Sequence, residues 1–147
     1  MLDCYIVYIY TTMNNKLIFY WLTSLSIIGI VLGSILLFEH YHYIAASVCN
    51  INSTFNCSAI AIGSLSKLFG IPIPYFGLTG YVAILIASLC KAKRTVFLIA
   101  LAGFLFCLRI TLLEIFQVHI ICPVCLACQF DMILVLCFTM YLNFKKS

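Results

Sequence analysis

The chain has 147 residues, the length of one domain, but 65% of them are hydrophobic and only 8% are charged. A soluble globule cannot bury so large an apolar fraction, and four acidic with eight basic residues cannot solvate it in water. This composition excludes a disordered chain, a nucleic-acid-binding protein and a cytosolic enzyme, and it indicates an integral membrane protein whose partner is membrane lipid.

Four apolar runs are long enough to be transmembrane helices, since about 30 Å of hydrocarbon takes about 20 residues. They cover residues 17–38, 74–90, 95–118 and 122–142. We therefore predict an all-α fold, an integral membrane four-helix bundle within residues 17–142, followed by a cytoplasmic tail at 143–147. The first twelve residues are apolar but too short to cross, so we interpret residues 1–16 as a cytoplasmic tail or an over-extended start.

Basic residues concentrate at one predicted side of the membrane. They precede the first span, fill the turn between the second and third, and follow the fourth: Lys16, Lys91, Lys93, Arg94, Lys145 and Lys146. By the positive-inside rule both termini are cytoplasmic, and an even number of spans requires the same side for both. The long loop between the first two spans then lies on the outer face. We predict that this loop carries a short interfacial helix that begins at Ser58 and has Ile60, Leu65, Leu68 and Phe69 on one apolar face.

Four of the nine cysteines fall on the predicted outer side. Cys49 and Cys57 lie in the long loop, while Cys122 and Cys125 form a C-P-V-C motif that opens the fourth span. Disulfides form and persist on the outer face of a bacterial plasma membrane or in the ER lumen. Cys122 is expected at the N-cap, with Pro123 at the first helical position, where unpaired N–H groups stabilise a thiolate. Because the thiolate attacks disulfides, this pair is placed to exchange with the loop pair.

The sequence leaves three other interpretations of the cysteines open. The four outer cysteines could form two structural disulfides that staple the loop. The C-P-V-C-L-A-C run has the spacing of an iron–sulfur motif, but Asp131 stands where the fourth ligand is needed. A thiol-rich metal carrier or transporter subunit would use soft cysteine ligands for copper, mercury or zinc. The cysteines within or at the ends of spans are expected to pack as small apolar residues: Cys90, Cys107, Cys128 and Cys137.

Three charged residues lie within the predicted spans: Arg109, Glu114 and Asp131. A charge at the bilayer centre costs about 2.5 to 3.5 kcal/mol, so each should face the bundle or a polar boundary. Glu114 and Gln117 lie about one helical turn apart, just ahead of the C-P-V-C motif. They either hold a proton path or fix helix packing. We predict no metal site, because no ligand spacing connects the histidines: His40, His42 and His119.

Several marks occur together between residues 21 and 142. They are the loop pair Cys49 and Cys57 followed by Ser58, the KLFGIP stretch at 67–72, Phe76 with Gly77, and the ICPVC run at 121–125. In these marks the chain resembles the vitamin K epoxide reductase family, in its short prokaryotic form. The resemblance implies a four-helix bundle whose loop pair takes electrons from a thioredoxin-fold partner and passes them to the CxxC pair, which reduces a quinone. By position, Cys49 would meet the partner, Cys57 would exchange with Cys122, and Cys125 would face the quinone.

Two positions depart from the vertebrate members of that family. Their quinone-binding asparagine falls on Ile73 here and their tyrosine on Gln129, so we expect quinone reduction without epoxide reduction. The resemblance implies a bacterial inner-membrane role, reoxidation of a DsbA-like protein with ubiquinone or menaquinone as acceptor. Phe76, Phe116 and Gln129 are the candidate lining of a hydrophobic pocket near Cys125. A DsbB-type oxidase is an alternative with the same function, but it carries its CxxC early and its loop pair late.

Overall fold

The computed structural model describes residues 15–41, 52–54, 67–119 and 121–144. Within these ranges the helices are α1 (Asn15–Tyr41), α2 (Ile73–Leu89), α3 (Lys93–Leu113) and α4 (Pro123–Phe144). A π-helical segment (Glu114–Val118) continues α3, and a hairpin of β1 (Lys67–Leu68) and β2 (Ile71–Pro72) precedes α2. The four predicted spans are confirmed as helices, with ends that differ by a few residues from the prediction.

The helices have the length and surface of a membrane bundle. By length and composition three can cross a bilayer: Asn15–Phe38, Lys93–Gln117 and Pro123–Phe144. Helix α2 has 17 residues, the short end of the roughly 17 to 25 that a span needs. Large apolar side chains are exposed on every helix, among them Trp21, Ile86, Leu98 and Phe130. Because water disfavours such a surface, lipid is its natural solvent, and the predicted all-α membrane bundle is confirmed.

The four helices pack as a closed ring. Helix α1 packs against α2 and α4, and α3 packs against the same two helices. The main core lies between them, formed by residues such as Leu22, Ile84, Val96 and Val135. A smaller apolar cluster includes Leu36. This ring is the arrangement of an antiparallel four-helix bundle, with a long loop between α1 and α2 and short connections between the other helices.

The ring has two chemically different ends. One end carries Lys91, Lys93 and Arg94 and is here called the basic end. There, Asn143 Nδ2 donates a hydrogen bond to the backbone oxygen of Lys93 at 3.1 Å, which joins the last turn of α4 to the first turn of α3. At the other end, the hydroxyl groups of Tyr41 and Tyr75 lie 2.8 Å apart, which joins the end of α1 to the start of α2. Since α4 begins next to Cys122 and runs to the basic end, Cys122 lies at this second end, here called the thiol end.

The last residues of the predicted interfacial helix form a hairpin instead. Its first part, residues 58–66, lies outside the described residues, whereas β1 pairs antiparallel with β2, with Leu68 opposite Ile71. Phe69 and Gly70 make the turn with φ of 54° and 83°, the left-handed conformation that tight hairpin turns require. Leu68 packs on the smaller apolar cluster while Phe69 is 94% exposed, so the two residues do not share one buried face.

Gly29 lets α1 approach the ring of Tyr81 in α2. A Cβ atom at Gly29 would overlap ring atoms of Tyr81, which is only 1% exposed. We predict that Gly29→Ala lowers the free energy of unfolding by about 1 to 3 kcal/mol, the usual cost of overpacking a core. The matched control is Gly80→Ala, because nothing lies within 4 Å of a Cβ atom there. Thermal unfolding in detergent compares the two, and equal midpoints would contradict this packing.

Candidate functional site

The C-P-V-C motif forms the start of α4 as the sequence predicts. Leu126 N–H donates to the Cys122 carbonyl oxygen at 3.1 Å, which makes Cys122 the N-cap and Pro123 the first helical residue. The Cys122 sulfur accepts the N–H of Cys125 at 3.4 Å, one of the donors that a helix start leaves without an intrahelical partner. Reactive cysteines occupy such positions at helix N-termini.

The carboxyl group of Glu114 is buried beside both thiols. Glu114 is 1% exposed, and its Oε2 accepts the N–H of Cys122 at 3.2 Å. The Cys125 thiol lies close to the Glu114 carboxyl group and to the Cys122 thiol, and Glu114 Oε1 has no hydrogen-bond partner within the described ranges. Such an arrangement allows the carboxylate to accept a thiol proton while the sulfur becomes a nucleophile.

The end of α3 explains how Glu114 reaches this position. Glu114 begins the π-helical segment, a form of helix found often at functional sites. His119 ends the segment in the left-handed conformation, with φ of 54°, and its N–H bonds the Glu114 carbonyl oxygen. The chain then turns sharply into α4, so Glu114 faces Cys122 across a short connection. Gln117, which the sequence analysis paired with Glu114 in a proton path or a packing contact, is exposed.

An apolar cavity lies beside Cys125. Its volume is about 50 Å³ and it is partly open to the outside. This is well below the roughly 300 to 1,000 Å³ of pockets that hold small organic ligands, so a bound ring requires the wall to open. All four helices form its wall: Gly33, Leu36, Ile73, Pro74, Gly77, Tyr81, Phe106, Cys107, Ile110, Cys125 and Cys128. Apolar groups dominate this wall, so it suits a flat apolar ring that could receive electrons from the Cys125 thiol.

None of the three predicted pocket residues is part of this wall. The Phe76 ring packs on the Phe106 ring of the wall, with centroids 5.8 Å apart. Gln129 is partly buried, and its Oε1 has no hydrogen-bond partner within the described ranges. Phe116 is 72% exposed and lines a separate open groove together with Arg109. A role for these three side chains in quinone binding stays a prediction.

Among the wall residues that sequence reasoning missed, three carry a thiol or a hydroxyl group. Cys107 and Cys128 were expected to act only as packing residues, yet both line the cavity with Cys125. The spacing of Cys125 and Cys128, three residues apart, could have indicated a shared helix face. Cys107 and Tyr81 come from other helices and give no such local signal. Among the described residues, no group of three or more His, Cys, Asp and Glu side chains is placed to hold a metal ion.

The loop pair, Cys49 and Cys57, lies outside the described residues. A short piece of the loop between these two cysteines is described, and it contacts the site. The carbonyl oxygen of Thr54 accepts the N–H of Ile121 at 2.8 Å. Since Ile121 directly precedes Cys122, this hydrogen bond fastens the long loop to the start of the C-P-V-C helix.

Thiols, a buried carboxyl group and an apolar cavity thus meet at one end of a membrane bundle. A sequence model of the vitamin K epoxide reductase family matches residues 20–140. The chain belongs to the vitamin K epoxide reductase family. No curated protein and no solved structure gives a significant match. Membership makes the chain a membrane thiol–quinone oxidoreductase in general terms, one that works with a thiol redox partner in a lipid environment.

We predict that Glu114→Gln slows the oxidation of the Cys122 and Cys125 thiols by a soluble quinone by about 10²-fold or more, because glutamine cannot accept the proton. Glutamine has the same shape and can still accept the N–H of Cys122, so the helix start should persist. Pre-reduced protein is mixed with excess quinone, and the quinone absorbance is followed.

The control for this experiment is Gln117→Ala, which changes an exposed residue of the same π-helical segment. Its rate should equal that of the wild type. A Glu114→Gln rate indistinguishable from the wild type would contradict proton transfer to Glu114.

Proposed function

We propose that this member of the family is a disulfide-generating quinone reductase that reoxidises a DsbA-like thioredoxin-fold protein. Electrons pass from the partner to Cys49 and Cys57, then to Cys122 and Cys125, and then to ubiquinone or menaquinone. The observation that carries the proposal is the position of Cys125, which lies against Cys122 and also on the wall of an apolar cavity. One thiol there can connect disulfide chemistry at the thiol end to an electron acceptor dissolved in the membrane.

The final step is a two-electron reduction of the quinone. Cys122 and Cys125 join in a disulfide and release two electrons and two protons, and the quinone takes up both and becomes a quinol. The Glu114 carboxylate accepts a thiol proton in this step and returns it toward the quinol. The apolar wall keeps water away from the reacting sulfur.

The preceding step is thiol–disulfide exchange with the loop pair. Cys57 follows Thr54 by three residues, so covalent geometry limits the distance between their Cα atoms to about 11 Å. Thr54 is itself bonded to the residue before Cys122. A Cys57 thiolate attacks the Cys122 sulfur and releases Cys125, and Cys49 then attacks Cys57 and releases Cys122. The loop pair is thereby oxidised and the C-P-V-C pair reduced.

The charge distribution supports an orientation in a bacterial inner membrane. Lys91 lies in the turn between α2 and α3, and Lys93 and Arg94 lie in the first turn of α3, all at the basic end and opposite the thiol end. Since basic residues stay on the cytoplasmic side, we propose cytoplasmic termini and outward-facing thiols. The outer face is also where disulfides persist. In this arrangement residues 17–142 are the membrane domain, residues 1–16 are a cytoplasmic tail or an over-extended start, and residues 143–147 are a cytoplasmic tail.

Turnover of a reduced DsbA-like protein with a soluble quinone tests the proposal. The purified wild type should reduce the quinone, and Cys125→Ala should abolish turnover because no disulfide can then form with Cys122. Cys137→Ala is the matched control, since it removes an exposed cysteine from the same helix, and it should behave as the wild type. Failure of a correctly folded wild type to reduce ubiquinone and menaquinone analogues would contradict the proposal.

A further inference from the structure

A quinone carries two carbonyl oxygens, and buried carbonyl groups need hydrogen-bond donors. Of the described residues that line the cavity, Tyr81 is the one with a side-chain O–H or N–H group. The cysteine thiols on the same wall are weak donors. Tyr81 is therefore the strongest donor on the wall of the cavity.

Two groups on α4 surround the Tyr81 hydroxyl. It donates a hydrogen bond to the backbone carbonyl oxygen of Cys128 at 3.1 Å, and the Asp131 carboxyl group lies close to it. Tyr81 and Asp131 are 1% and 5% exposed, so both lie inside the bundle. Gly29 packs directly against the Tyr81 ring, which fixes where the hydroxyl can lie.

Asp131 has no part in the thiol chemistry described above. A carboxyl group inside an apolar bundle is costly, and such residues in membrane spans mark functional sites by default. Its Oδ2 is buried and has no hydrogen-bond partner in the described part of the chain. A protonated Asp131 would donate to the Tyr81 oxygen and leave the phenol hydrogen available to an acceptor.

We propose that Tyr81 donates a hydrogen bond to a carbonyl oxygen of the bound quinone, and that Asp131 is the positioning residue that orients the hydroxyl. The inference rests on the proposed function and deepens it by naming the donor. When the quinone binds, the Tyr81 hydroxyl gives up its hydrogen bond to the Cys128 carbonyl oxygen and donates to the quinone oxygen instead. Neither Tyr81 nor Asp131 changes its proton count in the net reaction, because the two thiol protons balance those that the quinone takes up.

Tyr81→Phe tests the donor, because it removes the hydroxyl and keeps the ring. We expect the KM for decylubiquinone to rise about 3- to 10-fold, the range for loss of one hydrogen bond. The rate at which dithiothreitol reduces the Cys122–Cys125 disulfide should not change, since that step does not use the quinone. The control is Tyr20→Phe, which removes a hydroxyl from a residue that is 73% exposed.

Infrared spectroscopy measures the carbonyl stretch of bound decylubiquinone. This frequency would not change if Tyr81 only supported the packing of the bundle. Loss of the hydrogen bond should shift a quinone carbonyl stretch to higher frequency in Tyr81→Phe but not in Tyr20→Phe. Asp131→Leu should produce the same shift, and Asp131→Asn, which can still hydrogen-bond the phenol, should restore part of the wild-type band. This pair of Asp131 variants carries the test if Tyr81→Phe does not fold.

The outcomes separate this inference from the proposed function. A wild type that reduces quinone, with an unchanged KM and carbonyl band in Tyr81→Phe, would overturn the role of Tyr81 and leave the proposed function standing. A wild type that binds quinone with a Tyr81-dependent band but does not reduce it would overturn the proposed function alone. A wild type that neither binds nor reduces quinone would overturn both.

Discussion

The N–H of Cys122 donates to Glu114 Oε2 at the point where α3 ends and α4 begins. A helix that starts inside an apolar environment must pair its first N–H groups, because no water is available to do so. The Cys122 sulfur and the Glu114 carboxyl group together satisfy two of these groups. The same contacts hold a carboxyl group beside two thiols, so one arrangement serves helix capping and redox chemistry.

Lipid around the bundle determines where its polar chemistry can lie. The outer surface of the helices is apolar, and the buried polar side chains of the described chain gather in the interior. Two chemically active side chains line one cavity: Cys125, which lies next to the Glu114 carboxyl group, and Tyr81, which lies next to the Asp131 carboxyl group. A quinone in that cavity would contact the Cys125 thiol, which can reduce it, and the Tyr81 hydroxyl, which can donate a hydrogen bond to it. A single apolar space can thereby orient a quinone and reduce it.

The sequence predicts the features that depend on composition or on neighbouring residues. Span positions follow from apolar length, and the N-cap of α4 follows from a cysteine before a proline, a local rule. The hairpin was missed because Leu68 and Phe69 fit an apolar helix face, and Phe69 with Gly70 is not the Asn-Gly or Asp-Gly pair that favours such turns.

The cavity could not be predicted in the same way. Its wall takes residues from four helices, and their rotation depends on packing such as that of Gly29 on Tyr81. Glu114 was singled out from its position, but its contact with Cys122 depends on the π-helical end of α3, which a regular helical period does not predict. The loop pair was identified by sequence alone, since it lies outside the described residues.

We propose that Cys122 and Cys125 are the thiols that reduce the quinone. A single-turnover experiment on a Cys49→Ala, Cys57→Ala variant tests it most directly, because the loop pair is then absent. The reduced variant is mixed anaerobically with decylubiquinone, and mass spectrometry locates the disulfide that forms. We expect one quinone to be reduced per chain and a disulfide to form between Cys122 and Cys125. Absence of quinone reduction, or a disulfide between Cys107 and Cys128 instead, would contradict it.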